Sequence, residues 1–238
     1  MPLNRLIAGL PNAASMSLVS LIVALWAGPA WAQTATADPW ASAIAAFEAA
    51  DRVAPPPKGG IVFIGSSTIR LWDLSRSFPE YPTINRGFGG SEMADSTRFV
   101  DRIVTPYQPR VVVVYAGDND ISSGTIAEQV VVDFERFVRA VHATRPQTRI
   151  VYIGIKPSLL RWTQVDRMRS TNAMIRALCE RDDRLAFVDV DHAMLGWDEK
   201  PRKELYVADG LHLTPEGYQV LNALLRPFLV PLKAVPEG

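Results

Sequence analysis

The chain has 238 residues, of which 48% are hydrophobic, and its 25 basic and 25 acidic side chains give a formal net charge of zero. This balance argues against nucleic acid or an anionic membrane surface as the partner. The only cysteine, Cys179, excludes an intrachain disulfide and is predicted to be a buried, inert thiol in a helical apolar stripe.

Residues 1–32 have the features of an export signal. Arg5 precedes an apolar run from Met16 to Ala27, and Ala30-Trp31-Ala32 has the small residues of a cleavage site. We predict cleavage after Ala32 and a soluble periplasmic or secreted product. No later stretch is long and apolar enough to predict a membrane span, so stable membrane insertion is not expected.

Five short apolar segments are predicted to be strands. They are Ile61 to Ile64, Thr83 to Asn85, Val111 to Tyr115, Ile150 to Ile153 and Ala186 to Val190. The four valines at 111–114 show no alternation with polar residues, which indicates a strand that is covered on both faces.

Amphipathic stretches between these strands are predicted to be helices. Asp38-Pro39 is expected to cap a helix that runs towards Asp51. Thr125-Ile126-Ala127-Glu128 has the form of a capping box, with Ile126 beginning the apolar face of the next helix. A third helix is predicted from about Thr163 to Arg181, and Thr214-Pro215 is expected to cap the last one.

Strands that alternate with helices predict an α/β fold. We expect a three-layer α/β/α sandwich whose flavodoxin-like, doubly wound sheet has about five parallel strands. The carboxyl ends of such strands meet at one edge, where ligands bind. Four polar segments follow predicted strands, at 66–68, 89–91, 117–120 and 209–212, and are therefore predicted to converge in space.

Asp209, His212 and Ser67 together have the residue types of a nucleophilic hydrolase. A serine hydroxyl is a weak nucleophile until a base takes its proton, and the base needs a third group to hold its tautomer. Gly210 relaxes the backbone between acid and base, so both side chains can lie on one side of a turn. Each segment alone is also typical of a turn or a helix cap, and only their joint occurrence favours catalysis.

The chain resembles the SGNH, or GDSL-type, hydrolase superfamily between about Ile61 and Tyr218. Its four motif blocks correspond in order to Ile-Gly-Ser-Ser-Thr at 64–68, Asn-Arg-Gly-Phe-Gly-Gly at 85–90, Gly-Asp-Asn-Asp at 117–120 and Asp-Gly-Leu-His at 209–212. Ser66 departs from the family pattern, because the first block usually carries an aspartate there.

This resemblance implies a serine esterase. Ser67 would be the nucleophile, His212 the base, and Asp209 the acid that holds the imidazole ring. The backbone N–H groups of Ser67 and Gly90, with the side-chain amide of Asn119, would form the oxyanion hole. The hydrolase domain would span residues 59–232, preceded by a segment with one helix at 33–58.

The loop after the fourth predicted strand, residues 156–162, is expected to overhang the site. Leu159, Leu160 and Trp162 are the candidate substrate-binding residues, facing an acyl group or a sugar. No large insertion is available to form a lid. We therefore expect an open site for short-chain carboxylic esters, such as acetyl esters of carbohydrates or small lipid-derived esters.

Two non-catalytic alternatives remain open from the sequence. A flavodoxin-like module would bind flavin or phosphate at residues 66–68, although that role gives no reason for Asp209 beside His212. The other alternative is a carbohydrate-binding relative without activity. No cofactor or metal is expected, because the glycine-rich segment at 87–92 lacks the third glycine of a dinucleotide fingerprint and His192 has no further ligands at usable spacing.

Overall fold

The five predicted strands form one parallel sheet in a computed structural model, which describes residues 38–229 of the chain. The strands are β1 (Ile61–Gly65), β2 (Thr83–Gly87), β3 (Val111–Tyr115), β4 (Arg149–Ile153) and β5 (Leu185–Val188). Their spatial order is β2-β1-β3-β4-β5, so the expected flavodoxin-like order is confirmed. The predicted signal segment, residues 1–32, lies outside the described residues.

Helices cover both faces of this sheet and make the three predicted layers. One face carries α1 (Ala41–Val53), α4 (Met93–Arg98), α5 (Val100–Ile103), α6 (Asp118–Ser123), α7 (Ala127–Thr144) and α8 (Val165–Cys179). The other face carries α2 (Ser67–Arg70), α3 (Leu74–Ser77) and α9 (Pro215–Leu225). Short 3₁₀ turns lie at Thr105–Tyr107, Trp162–Gln164, His192–Met194, Lys203–Leu205 and Arg226–Phe228.

Strand β3 shows why the sheet needs both helical layers. Val112 and Val114 belong to the core beneath α7 and α8, whereas Val111 and Val113 belong to the core beneath α9. All four side chains are fully buried. Successive side chains of a strand point to opposite faces, so a run without alternation has to be covered twice.

Two predicted helix starts were wrong. Helix α1 begins at Ala41 after Trp40, and Asp38 instead accepts a hydrogen bond from the Trp40 backbone N–H at 3.0 Å. Helix α7 begins at Ala127 with Ile126 as its N-cap residue and without a side-chain cap. The Thr125 backbone N–H is bonded to Asp120 in the preceding turn, so the helix starts later and Ile126 is left 61% exposed.

The last helix starts where the sequence predicts. The Thr214 hydroxyl accepts a hydrogen bond from the Gly217 N–H at 3.2 Å, and Pro215 occupies the first helical turn of α9. Leu221 and Leu225 on its apolar face are buried in the core.

Helix α1 belongs to the same compact unit as the sheet, which begins at Asp38. Its Ile44 is fully buried in the core. The sequence predicts this helix in a segment ahead of the domain, whereas its packing makes it part of the helical layer on that face of the sheet. Within residues 38–229, no helix has the length and apolar character needed to cross a membrane.

Candidate active site

The four polar segments emerge at the carboxyl edge of the sheet, each after its strand. Residues 66–68 follow β1, 89–91 follow β2, 117–120 follow β3, and 209–212 lie in the chain between β5 and α9. Gly65 makes the first turn possible, because its φ is +137° and an added Cβ would lie 1.9 Å from the Tyr115 carbonyl oxygen. Only a glycine lets the end of β1 approach β3 so closely.

Ser67 and His212 are in hydrogen-bond contact, although 145 residues separate them in the chain. The His212 Nε2 lies 2.9 Å from the Ser67 Oγ. Ser67 is the first residue of α2 and is half-buried, so its hydroxyl is held at the edge of the sheet and still reached by solvent. This distance is within the range for proton transfer between a nucleophile and its base.

Asp209 holds the other side of the imidazole ring. Its Oδ2 lies 2.6 Å from His212 Nδ1, and its Oδ1 accepts hydrogen bonds from the backbone N–H groups of Leu211 and His212 at 2.8 and 2.9 Å. The His212 hydrogen bond, with these two backbone donors, lowers the pKa of the Asp209 carboxyl to about 2. An ionised carboxylate only accepts, so Nδ1 carries the ring hydrogen and Nε2 is free to accept from Ser67.

Two backbone hydrogen bonds from outside the turn stabilise the residues from Asp209 to His212. Gly210 has a φ of +68°, a left-handed conformation that glycine adopts without strain. The Leu160 N–H donates to the Gly210 carbonyl oxygen at 3.0 Å, and the Val207 N–H donates to the His212 carbonyl oxygen at 2.9 Å. The acid and the base therefore sit on a short, hydrogen-bonded loop.

The three predicted oxyanion donors line one cavity of about 710 Å³ together with Ser67 and His212. Within residues 38–229, the backbone N–H groups of Ser67 and Gly90 make no hydrogen bond and are available to a ligand. Gly90 has a φ of +85° and lies against the Trp40 ring, where an added Cβ would come within 3.2 Å of an indole carbon. Asn119 is the third group.

The Asn119 side chain is oriented by two neighbours. Its Nδ2 donates to the Ser91 carbonyl oxygen at 3.0 Å, and its Oδ1 accepts from Arg161 Nη2 at 3.1 Å. An amide nitrogen carries two hydrogens, so one remains free after the bond to Ser91. The arrangement can therefore present one side-chain N–H to a ligand oxygen in the cavity.

Arg161 belongs to a buried charge cluster that the sequence analysis did not identify. Its Nη1 donates to Asp118 Oδ1 at 2.5 Å, and Lys156 Nζ lies 3.4 Å from Asp118 Oδ2. The Lys156 side chain is fully buried, and this burial lowers the pKa of its ammonium group. The available sequence signal was a lysine three residues after an apolar strand, where charge is rarely buried without a partner.

Helix α1 supplies an apolar wall that the sequence analysis also missed. Trp40, Ala43 and Phe47 line the same cavity as Ser67. The Trp40 ring packs edge-to-face on Phe88, with the ring centroids 5.6 Å apart. Residues 40, 43 and 47 have helical spacing, so from sequence alone this stripe is indistinguishable from one that faces the core.

The predicted substrate-binding residues do not line this cavity, which corrects the sequence analysis. Leu159 and Trp162 line a separate cavity of about 780 Å³, and Leu160 is 61% exposed. The loop at 156–162 does reach the candidate site, but through Arg161. The Asp118 carboxylate holds that guanidinium by a hydrogen bond, whereas the side chains of Leu159, Leu160 and Trp162 are not part of this lining.

Comparison with known proteins places the chain in a family. The model of the GDSL-like lipase/acylhydrolase family matches residues 70–220. The platelet-activating factor acetylhydrolase IB subunit alpha1 of Homo sapiens is 30% identical over 193 residues, which cover 75% of this chain and 78% of the human protein. The chain belongs to the GDSL-like lipase/acylhydrolase family. The match to the family model begins three residues after Ser67, so it includes Gly90, Asn119, Asp209 and His212 but not the serine.

Solved structures share the fold of this GDSL-like hydrolase. A GDSL-like lipase from Bacteroides thetaiotaomicron superposes with a TM-score of 0.69 at 20% identity, covering 78% of this chain and 96% of that one. An acetylxylan esterase from Geobacillus stearothermophilus superposes with a TM-score of 0.59 at 14% identity, covering 74% and 96%. Identities this low establish the three-layer fold alone.

Family membership makes the protein a carboxylic ester hydrolase, and the flavin-binding and inactive carbohydrate-binding alternatives are not retained. Within the described residues, no group of three or more histidine, cysteine, aspartate or glutamate side chains could hold a metal ion. Asp191 and Asp189 beside His192 are instead paired with Arg169 and Arg176.

Proposed function

We propose that this GDSL-like hydrolase is an exported serine esterase that cleaves short-chain carboxylic esters through an acyl-enzyme on Ser67. The observation that carries the proposal is the contact of His212 with both partners, 2.9 Å to the Ser67 Oγ and 2.6 Å to the Asp209 Oδ2. Serine, imidazole and carboxylate in this order are the parts needed to activate a hydroxyl group.

In the first step, His212 Nε2 takes the proton of the Ser67 hydroxyl as its Oγ attacks the ester carbonyl carbon. The carbonyl oxygen becomes negative, and the N–H groups of Ser67 and Gly90 with the Asn119 amide stabilise it. Asp209 stabilises the resulting imidazolium. When the ester C–O bond breaks, His212 gives its proton to the leaving alcohol.

In the second step, water clears the acyl group from Ser67. His212 Nε2 takes a proton from the water, whose oxygen attacks the acyl carbon. The bond to Ser67 Oγ breaks, the serine regains its proton from His212, and the carboxylic acid leaves. Ser67 lines the cavity and is only half-buried, so water can reach the acyl group.

Acetyl esters of carbohydrates or small lipid-derived esters are the proposed substrates. The name of the human relative specifies an acetylhydrolase, which supports a short acyl group. A cavity of about 710 Å³, lined by α1 and by residues 87–90 with the oxyanion donor Gly90, has room for a small ester with part of its alcohol.

Replacing Ser67 by alanine tests the nucleophile. We expect S67A to lose at least about 10³-fold in kcat for p-nitrophenyl acetate, because it removes the hydroxyl group that His212 contacts. The matched control is S170A, which removes an exposed hydroxyl on α8 away from the cavity. Turnover by S67A equal to that of S170A would refute the proposed nucleophile. Mass spectrometry after a fluorophosphonate probe should find the label on the peptide that contains Ser67.

Export is the second part of the proposal, and it depends on the signal features of residues 1–32. We expect the mature protein, recovered from the periplasm or the medium, to begin at Gln33. N-terminal sequencing of each cell fraction measures this. Active protein that stays in the cytoplasm with residues 1–32 attached would contradict export without affecting the proposed chemistry.

A further inference from the structure

The cavity at Ser67 has a charge bias that the chain as a whole does not share. The charged side chains lining it, within residues 38–229, are the basic residues Arg70 and Arg161, with His212 beside them. The full chain has a formal net charge of zero. The neighbouring cavity mixes both signs, with Asp198, Lys200, Arg202, Lys203 and Glu204 in its lining. A single sign of charge at one cavity raises the local concentration of ligands of the opposite sign.

The two arginines of this cavity are not equivalent. Arg161 donates to Asp118 at 2.5 Å and to Asn119 at 3.1 Å, so protein groups already use its charge and its donors. The Arg70 side chain makes no hydrogen bond or ion pair with any residue of the described part of the chain. Arg70 is an exposed residue of the cavity lining, and its guanidinium keeps all of its donors for a ligand.

Two glycines leave room for Arg70 in this position. A Cβ on Gly89 would lie 2.8 Å from Arg70 Nε and 3.2 Å from its Nη2, so the guanidinium packs directly on the Gly89 backbone. A Cβ on Gly87 would lie 2.2 Å from the Arg70 backbone nitrogen. The guanidinium is therefore placed one residue from Gly90, beside the proposed oxyanion hole.

The apolar part of the cavity lining strengthens an interaction with this charge. Trp40, directly before α1, and Ala43 and Phe47 of α1 add apolar surface to the same lining as the arginine. A ligand bound there loses part of its water shell, and a charge pair is worth more where water is excluded. The planar guanidinium matches the two oxygens of a carboxylate or a phosphate group.

We propose that Arg70 is a specificity-determining residue that selects esters carrying a negatively charged group, a carboxylate or a phosphate, on the acyl or the alcohol part. This proposal rests on the proposed ester hydrolysis at Ser67. The anion pairs with the Arg70 guanidinium, and the uncharged part of the substrate lies along α1. Arg70 then contributes to ester selection and takes no part in the bond-breaking steps.

Two pairs of esters test the proposal, one for each side of the scissile bond. On the acyl side, mono-p-nitrophenyl succinate is compared with its methyl ester by release of p-nitrophenol. On the alcohol side, 4-acetoxybenzoate is compared with methyl 4-acetoxybenzoate by release of the phenol. Each pair differs by one charge, so the ratio of kcat/KM for the charged and the neutral ester is the readout. Differences in leaving group cancel when this ratio is compared between protein variants.

The variants are R70Q, R70K and the matched control R139Q, which removes an exposed charge on α7 outside the cavity. We expect the charged-to-neutral ratio to fall about tenfold in R70Q for at least one ester pair, as for loss of a charge-assisted hydrogen bond. R70K should keep much of the preference, and R139Q all of it. Raising the salt concentration should lower the wild-type ratio towards that of R70Q.

Different results would contradict the proposed role of Arg70 and the proposed esterase activity. If the wild-type protein hydrolyses all four esters and R70Q keeps the wild-type ratio in both pairs, the role of Arg70 is wrong while esterase activity stands. An equal fall in R70Q and R139Q would also overturn it, because the effect would then reflect overall charge. If the wild-type protein hydrolyses none of these esters and S67A behaves identically, the proposed function fails and Arg70 selection fails with it.

Discussion

The Arg161 guanidinium donates a hydrogen bond from Nη2 to the side-chain oxygen of Asn119 at 3.1 Å. Together with the bond from Asn119 Nδ2 to the Ser91 carbonyl oxygen, this contact leaves a single orientation of the amide, with nitrogen rather than oxygen turned towards Ser91. A flipped amide would present a lone pair to a developing oxyanion. Arg161 is therefore a positioning residue for the proposed donor.

Replacing Arg161 by methionine should reduce kcat by about 10- to 100-fold, less than the 10²- to 10³-fold typical of losing an oxyanion donor outright. The Asn119 amide stays present in this variant but can rotate, so part of its stabilisation survives. KM should change less than kcat, because the interaction strengthens in the transition state. Steady-state kinetics with p-nitrophenyl acetate measure both constants.

The double variant R161M/N119A distinguishes a role of Arg161 in orienting Asn119 from a role in stability alone. If Arg161 acts through Asn119, the double variant should be no slower than N119A alone. Additive losses would contradict the positioning role. R161K provides a second control, because lysine keeps a charge near Asp118 without the planar fork. It should retain more thermal stability than R161M while still losing kcat.

Asp209 should make the stability of the protein depend on pH in the acidic range. The hydrogen bond from His212, with two backbone donors, lowers its pKa from the ordinary value of 3.8 to about 2 in the folded protein. A carboxyl whose pKa is lowered on folding stabilises the protein above pH 4, and that contribution disappears as the pH falls towards 2. The difference in free energy of unfolding between the wild type and D209N should therefore shrink from pH 5 to pH 2.5. Denaturant unfolding at several pH values measures it, and a difference independent of pH would count against the assignment.

Gly65 and Gly124 offer a matched pair for testing the turn before Ser67. Both have positive φ, +137° and +102°, but an added Cβ would lie 1.9 Å from the Tyr115 carbonyl oxygen at Gly65 and would meet nothing within 4 Å at Gly124. G124A should cost about 1 kcal/mol of stability from backbone strain alone. G65A should cost several times more, because β1 and β3 have to separate. Thermal unfolding of the two variants compares their stabilities. Equal losses of stability would show that β1 and β3 can separate at little cost in free energy.

Cys179 should be inert in the folded protein. It lies on the buried face of α8, and burial raises the pKa of its thiol to about 12. Because the thiolate is the reactive form, a thiol reagent such as Ellman's should not react at pH 8 until the protein is unfolded. One equivalent per chain is expected in guanidinium chloride. Rapid reaction of the native protein would contradict the burial of this residue.

Much of the fold was predictable because its signals are local. The valines at 111–114 are predicted to be a doubly covered strand by composition alone, and β3 is buried on both faces. Thr214-Pro215 predicts a helix start through the chemistry of two adjacent residues, and α9 begins there. The helix starts predicted at Asp38 and Thr125 were wrong because these residues make other hydrogen bonds, with Trp40 and Asp120. A cap motif in the sequence does not show which backbone groups are already bonded.

The convergence of distant segments was also predictable. Parallel strands bring their carboxyl ends to one edge, and the connections that follow β1, β2, β3 and β5 begin at that edge. The sequence therefore indicates that Ser67, Gly90, Asn119 and His212 share an edge, and all four line one cavity in the structure. The other residues that line this cavity were not predictable in this way.

The sequence alone determined that strands and helices alternate in this hydrolase and that its polar turns meet at one edge of the sheet, because hydrophobic periodicity and the rules of parallel connections act over short stretches of chain. Only the tertiary structure decided that Arg161 rather than Leu159 or Trp162 reaches the cavity, and that Trp40 and Phe47 form its wall. The direction of a loop side chain depends on partners far away in sequence, here the buried carboxylate of Asp118, and no local pattern encodes those partners.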